Sequence, residues 1–142
     1  MRVLVIPDCH LKPWMFEKAA AIMSGERTDN AVCLMDIPDD FGKDDPDLYK
    51  KAYDAAIRFA KQFPQSLWCY GNHDLSYVWN KPETGFNPTV RILVREKLEE
   101  LKRTLSSPSQ LAYIHKIDKT LFMHGGLSNF FVHRWVTQSG QK

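Results

Sequence analysis

The chain has 142 residues, 44% of them hydrophobic and 25% charged. That composition is ordinary for a globular domain and excludes a disordered, collagen-like or low-complexity chain. Nineteen basic and 17 acidic residues leave a net charge of +2, too balanced to point by itself to nucleic acid or to a membrane surface. No stretch approaches the roughly 18 consecutive apolar residues of a membrane span.

The elements are predicted from hydrophobic spacing. Arg2 to Ile6 is a short apolar run that ends at Pro7-Asp8. It reads as a first strand and not as an export signal, so the expected location is the cytoplasm. Trp14 to Met23 carries Phe16, Ala19, Ala20 and Met23 at helical spacing, and Ala31 to Met35 is a second apolar run. Asp45-Pro46 has the form of an N-cap followed by proline at the first helical position. From there Leu48, Ala52, Ala55, Ala56, Phe59, Ala60 and Phe63 make one helix face, closed by Pro64. Ser66 to Tyr70 is a third strand. Asn87-Pro88 opens a helix with Val90, Leu93, Val94, Leu98, Leu101 and Leu105 on one stripe. Leu111 to Ile117 and Thr120 to Met123 read as a hairpin around Asp118-Lys119, and Phe130 to Val136 as the start of a last helix. Strands alternating with helices predict an α/β layered sheet, and residues 1–142 read as one domain. Cys9, Cys33 and Cys69 form no CxxC pair and sit in apolar stretches, so they are expected as buried, reduced thiols.

In such sheets ligands gather beyond the carboxyl ends of the strands. Metal-capable residues recur there: Asp8-Cys9-His10, Asp36-Ile37-Pro38-Asp39-Asp40, Gly71-Asn72-His73-Asp74 and His124-Gly125-Gly126. Each piece alone has a plain structural reading. Asp8 and Asp36 could be caps, His10 a surface histidine, Asn72-His73 a hydrogen-bonded loop and His124-Gly-Gly a turn. Their joint order at successive strand ends favours one crevice. In an extended chain Asp8 and His10, two apart, would face the same way and could grip one ion. Carboxylate, imidazole and amide oxygen suit Mn, Fe or Zn. A pair of such ions about 4 Å apart clamps a phosphate, and a nearby histidine protonates the leaving oxygen. The acidic run through Asp39, Asp40, Asp44, Asp45 and Asp47 does not fit an EF-hand, because its Gly and distal Glu are misplaced.

With these motifs the chain resembles the calcineurin-like metallophosphoesterases, and within them the phosphoprotein phosphatase type. That pattern runs Asp-x-His, Gly-Asp-x-x-Asp-Arg, Gly-Asn-His-Asp/Glu, His-Gly-Gly and a final histidine segment. The resemblance implies a layered α-β-β-α sandwich and two divalent metal ions, Mn, Fe or Zn. It implies Asp8 and His10 on the first ion, Asp36 bridging, and Asn72 and His124 on the second. His73 would be the general acid or a phosphate contact, Asp39 its dyad partner, and Asp74 a loop stabiliser. The implied activity is hydrolysis of phosphomonoesters or phosphodiesters by a two-metal-activated hydroxide. Its substrate would be a phosphorylated small molecule, a nucleotide or a phosphoprotein.

Two departures stand out. The family's glycine before the bridging aspartate is Met35 here, and its arginine after the second aspartate is Asp40, so the usual arginine fork for phosphate is missing. Only 16 residues follow Gly126, with a single histidine, His133, where the family places its final histidine segment. The chain therefore reads as a sandwich incomplete at its C-terminus, with an exposed sheet edge that predicts self-association. The alternative to a hydrolase is an inactive, truncated metal-binding domain acting as an interaction module. Nucleic-acid binding through Arg91, Arg95, Lys97, Lys102 and Arg103 is disfavoured, because Glu96, Glu99 and Glu100 alternate with them on one helix. Tyr77 and Trp79 could wall the crevice, although packing is the favoured role for both.

Overall fold

The computed structural model describes residues 1–129. Strands β1 (Val3–Ile6), β2 (Asn30–Cys33), β3 (Leu67–Cys69) and β4 (Leu111–Ala112) form a parallel sheet in sequence order. Between them run helices α1 (Trp14–Gly25), α2 (Pro46–Gln62), α3 (Asn72–Trp79) and α4 (Arg91–Thr104). Right-handed crossovers in an order of 1-2-3-4 put the helices on one face, and α1 packs on α2 and α2 on α4 accordingly. A second, antiparallel sheet pairs β5 (Ile114–Ile117) with β6 (Thr120–Met123). The fold is α/β with a parallel sheet, as expected; of the expected α-β-β-α sandwich, the described residues form two sheets and one helix layer. The last expected helix, Phe130 to Val136, lies outside the described residues, as does His133.

The sequence explains these elements locally. Asp45 caps α2, its side chain accepting the Asp47 N–H at 3.0 Å, with Pro46 in the first turn. Helix α2 buries Tyr49, Ala52, Tyr53, Ala56, Phe59 and Ala60, and ends just before Pro64. Helix α4 buries Val94, Leu98 and Leu101. Its charges pair locally, Lys97 with Asp54 at 2.6 Å and Glu100 at 2.8 Å, and Lys102 with Glu99 at 2.6 Å. These pairs engage two of the five basic residues of that helix, Lys97 and Lys102. Trp68 is fully buried between Phe16 and Phe59, with ring centroids 6.0 and 6.3 Å away. Cys9, Cys33 and Cys69 are free and buried, as expected.

Three elements differ from the sequence reading. The segment after Gly71 is a helix, α3, and not a loop. The stripe beginning at Pro88 starts as one 3-10 turn, Pro88–Val90, before α4. The run from Leu111 to Ile117 is not one strand: it breaks at Tyr113, so that β4 joins the parallel sheet and β5 the second. The break turns His115 inward, where its Nε2–H donates to Trp68 O at 3.0 Å and Gln110 O at 3.1 Å. Those bonds tie the second sheet to β3. Among the described residues no helix is long and apolar enough to cross a membrane.

Candidate metal centre

Ile6 lies opposite Cys33, Cys33 opposite Trp68 and Cys69 opposite Ala112, so the strands end level. The loops that leave this edge converge. The β1 loop is laid along the β2 loop by Cys9 N–H to Met35 O (3.0 Å), His10 N–H to Asp36 O (2.7 Å) and Leu11 N–H to Ile37 O (2.9 Å). The backbone here is not extended: His10, Leu11, Met35, Asp36 and Asp39 all have positive φ. Asp8 and His10 thus do not present side by side in the manner of a strand. Met35, at φ +53°, occupies the left-handed region that glycine adopts most cheaply. That explains a glycine in the family pattern at this position. The cost of roughly 1–2 kcal/mol is outweighed by burial of the methionine side chain, fully enclosed here, whose loss would cost about 2–5 kcal/mol.

Asp36 is the hub. Its carboxylate is buried, and Oδ1 accepts the His73 N–H at the start of α3 at 2.9 Å. A helix N-terminus favours negative charge. Gly71 is required there by close approach: a Cβ would stand 1.9 Å from Asp36 Oδ1 and 2.9 Å from its backbone N. Asp36 Oδ2 lies 3.1 Å from His124 Nε2 and 3.9 Å from His10 Nε2. Both histidines have Nδ1 committed elsewhere. His10 Nδ1–H donates to Asp39 O at 2.8 Å, and His124 Nδ1–H to Leu34 O at 2.8 Å. These bonds fix the ring orientation and direct both Nε2 atoms at one carboxylate. Asn72 Oδ1 lies 3.2 Å from His124 Nε2, and Asp8 Oδ1 lies 3.4 Å from His124 Nδ1.

Two clusters with ligand-sized spacing result, and they share Asp36: His10, Asp36 and His73, and Asp8, Asp36 and His124. Asp8 therefore groups with His124, and His10 with His73, whose rings meet edge to face at 5.0 Å. The donors are carboxylate and imidazole, with the Asn72 amide beside them and no thiolate, a set suited to divalent Mn, Fe or Zn. Asp8, Asp36, Asp39 and Asp74 crowd the site, and no lysine or arginine among the described residues pairs with them. Such an excess of carboxylate suits added cations.

The electrostatics follow from that crowding. Burial works to raise the Asp36 carboxyl, but the hydrogen bond and charge of His124 prevail and hold it below its ordinary value. The Asp36 hydrogen bond in turn lifts His124 to about 9, against the lowering effect of burial. Asp74, fully buried, is pushed up to about 7 by burial and by Asp36. It accepts Asp36 N–H at 2.8 Å, Gly71 N–H at 3.2 Å, Ile37 N–H at 3.3 Å and Tyr53 O–H at 3.3 Å. It joins the two loops through these bonds.

Next to the hub stands a histidine–aspartate pair. His73 Nδ1–H donates to Asp39 Oδ2 at 3.2 Å. Asp39 Oδ1 takes two buried tyrosine hydroxyls, Tyr49 at 3.0 Å and Tyr77. The sequence reading offers Tyr77 only as a wall of the crevice, with packing favoured, and does not single out Tyr49, which is buried on α2. Asp40, in place of the family's arginine, pairs with Lys12 Nζ at 3.3 Å.

A family model described as calcineurin-like phosphoesterase matches residues 1–141. The chain belongs to that family of metal-dependent phosphoester hydrolases. No curated protein and no solved structure matches it.

Proposed function

We propose that this chain is a hydrolase of phosphomonoesters or phosphodiesters that works with two divalent ions. Asp8, His10, Asp36, Asn72 and His124 would hold them, with Asp36 between the two. The observation that carries this reading is the pair of oriented Nε2 atoms, from His10 and His124, both directed at Asp36 Oδ2. When bound, such ions supply Lewis acidity toward phosphoryl oxygens and lower the pKa of water. The chain's own residues do the remainder. His73, held by Asp39, protonates the departing oxygen, and Asp39 keeps the ring in the tautomer with Nδ1–H. Asn72, at the start of α3, turns its amide oxygen toward His124. Mn is the cation to try first.

The test is the Mn(II)-dependent hydrolysis of p-nitrophenyl phosphate by the chain and by Asp36→Asn, with Mn(II) affinity measured in parallel. Metal-dependent turnover that Asp36→Asn abolishes is the expected result. Turnover indifferent to Asp36 would overturn it. Metal binding without any turnover would restore the alternative, a metal-binding interaction module.

A further inference from the structure

We propose that the pocket beside the His73–Asp39 pair is a leaving-group subsite that selects neutral or cationic ring-bearing groups over anionic ones. It rests on the hydrolase reading above and names the substrate class of that site. The pocket is lined by His10, Asp39, Asp40, Phe41, His73, Thr84 and Gly85, and encloses about 140 Å³. A cavity of about 150 Å³ accommodates benzene, so the space matches one ring.

His73 is at once a wall of this pocket and the proton donor. In hydrolysis the oxygen of water forms the new P–O bond, and the P–O bond to the leaving group breaks with its electron pair on that group's oxygen. That oxygen takes the His73 proton and departs as the free alcohol or phenol. The proton lost by water restores His73. The group that departs therefore occupies the space His73 faces.

Two features give this space its chemistry. Phe41, 82% exposed, stands at its rim with its ring open to stack on a flat ligand. Its position is set by a tight turn: Asp40 Oδ1 accepts the Phe41 N–H at 3.0 Å, and Asp40 O accepts the Lys43 N–H at 3.0 Å. On the other wall Gly85, at φ +88°, has no side chain to fill the space. Apart from the two histidines, the charged residues of the lining are Asp39 and Asp40; the Asp39 carboxylate is buried and taken up by Tyr49, Tyr77 and His73, so the negative charge at the pocket is that of Asp40. Lys12, the nearest cation to Asp40, is not part of the lining. A leaving group with its own phosphate or carboxylate would meet negative charge; a neutral ring or a quaternary ammonium would not.

The experiment uses three benzylphosphonates with para methyl, trimethylammonium or carboxylate groups. Their affinities are measured calorimetrically with Mn(II) present, alongside kcat/KM for the matching aryl phosphates. The cation should bind at least tenfold tighter than the anion, with the neutral ligand between. Asp40→Asn should narrow that ratio to about threefold or less. Asp44→Asn, which removes the same charge from the exposed part of the loop, should keep the wild-type order. Phe41→Ala should weaken all three about tenfold. Equal affinities, a preference for the anion, or no binding of any ligand would overturn the subsite. Turnover decides the hydrolase reading separately: ordered binding without turnover keeps the subsite and removes the reaction.

Discussion

The buried hydroxyl of Tyr77 donates to Asp39 Oδ1, the oxygen that also takes the Tyr49 hydroxyl. Two neutral donors on one oxygen leave the other, Oδ2, for His73. Burial first, and then Asp39, through its charge at Tyr49 and its hydrogen bond at Tyr77, push both phenols well above their ordinary value, so they remain donors at any working pH. Tyr77 O also accepts the Asn87 N–H at 3.0 Å, which links the dyad to the loop before α4. Tyr49→Phe and Tyr77→Phe each remove a hydrogen bond to a charged group, worth about 1.5–3 kcal/mol. We expect kcat to fall about tenfold in each with KM nearly constant, and the acid–base limbs of the kcat profile to move. Unmoved limbs with only a lower melting temperature would make the tyrosines purely structural.

Gly71 and Asp36 cannot both keep their places if a methyl group is added. In Gly71→Ala the new Cβ meets the Asp36 carboxylate and backbone together. Overpacking of this kind costs about 1–3 kcal/mol. The greater effect should fall on the ions, because the displaced carboxylate is the shared one. Denaturant titration should show a folded, weakened protein, and Mn(II) affinity should drop at least about 100-fold. Wild-type affinity in this variant would remove Asp36 from the metal site.

The metal-free protein should lose stability as pH rises. His124 has a folded pKa of about 9, above its ordinary 6.5, through its bond to Asp36. A raised histidine contributes stability fully below about pH 6.5, and loses it as pH climbs through about 9. Thermal melts in chelator across this range should trend downward, and in His124→Gln the fall between about pH 8 and 9 should vanish, leaving near pH 7 only the share of Asp74. The same proton competes with a cation for Nε2. Mn(II) binding at pH 7 should then release close to one proton per chain from this site, read from titrations in buffers of different ionisation enthalpy. Binding with no dependence on the buffer would remove His124 from the ligand set.

Much of the site could be read from the sequence because a parallel sheet forces strand ends together. Asp8, Asp36 and Asn72 each follow an apolar run of that sheet, and the fold brings those runs level, whereas His124 follows an apolar run of the second sheet. What escaped depended on contacts that no spacing encodes. Helix α3 is eight residues long, buries Asp74 and Ser76 as well as Tyr77, and shows no clean apolar stripe. Its polar face is buried because Asp74 satisfies backbone donors from two loops. The break at Tyr113 was hidden because the apolar run continues through it, and only the inward turn of His115 separates the strands. The tyrosines on Asp39 come from α2 and α3, 10 and 38 residues away along the chain. Their hydroxyls meet only after the helices pack. Asp40 stands where the family pattern has arginine, and its partner Lys12 lies 28 residues earlier.

The site also straddles two sheets. Asp36 leaves the parallel sheet, whereas His124 follows β6 of the second, and that second sheet is tied to the first by side-chain bonds such as those of His115 and His124. Among the described residues this second sheet has two strands, and a two-stranded sheet is marginal alone and belongs to the part of a fold that opens first. The residence time of an ion would then be governed by how often this hairpin lifts, and less by the strength of any one coordinate bond. Tightening the seam between the sheets would slow exchange of the ion without touching a ligand.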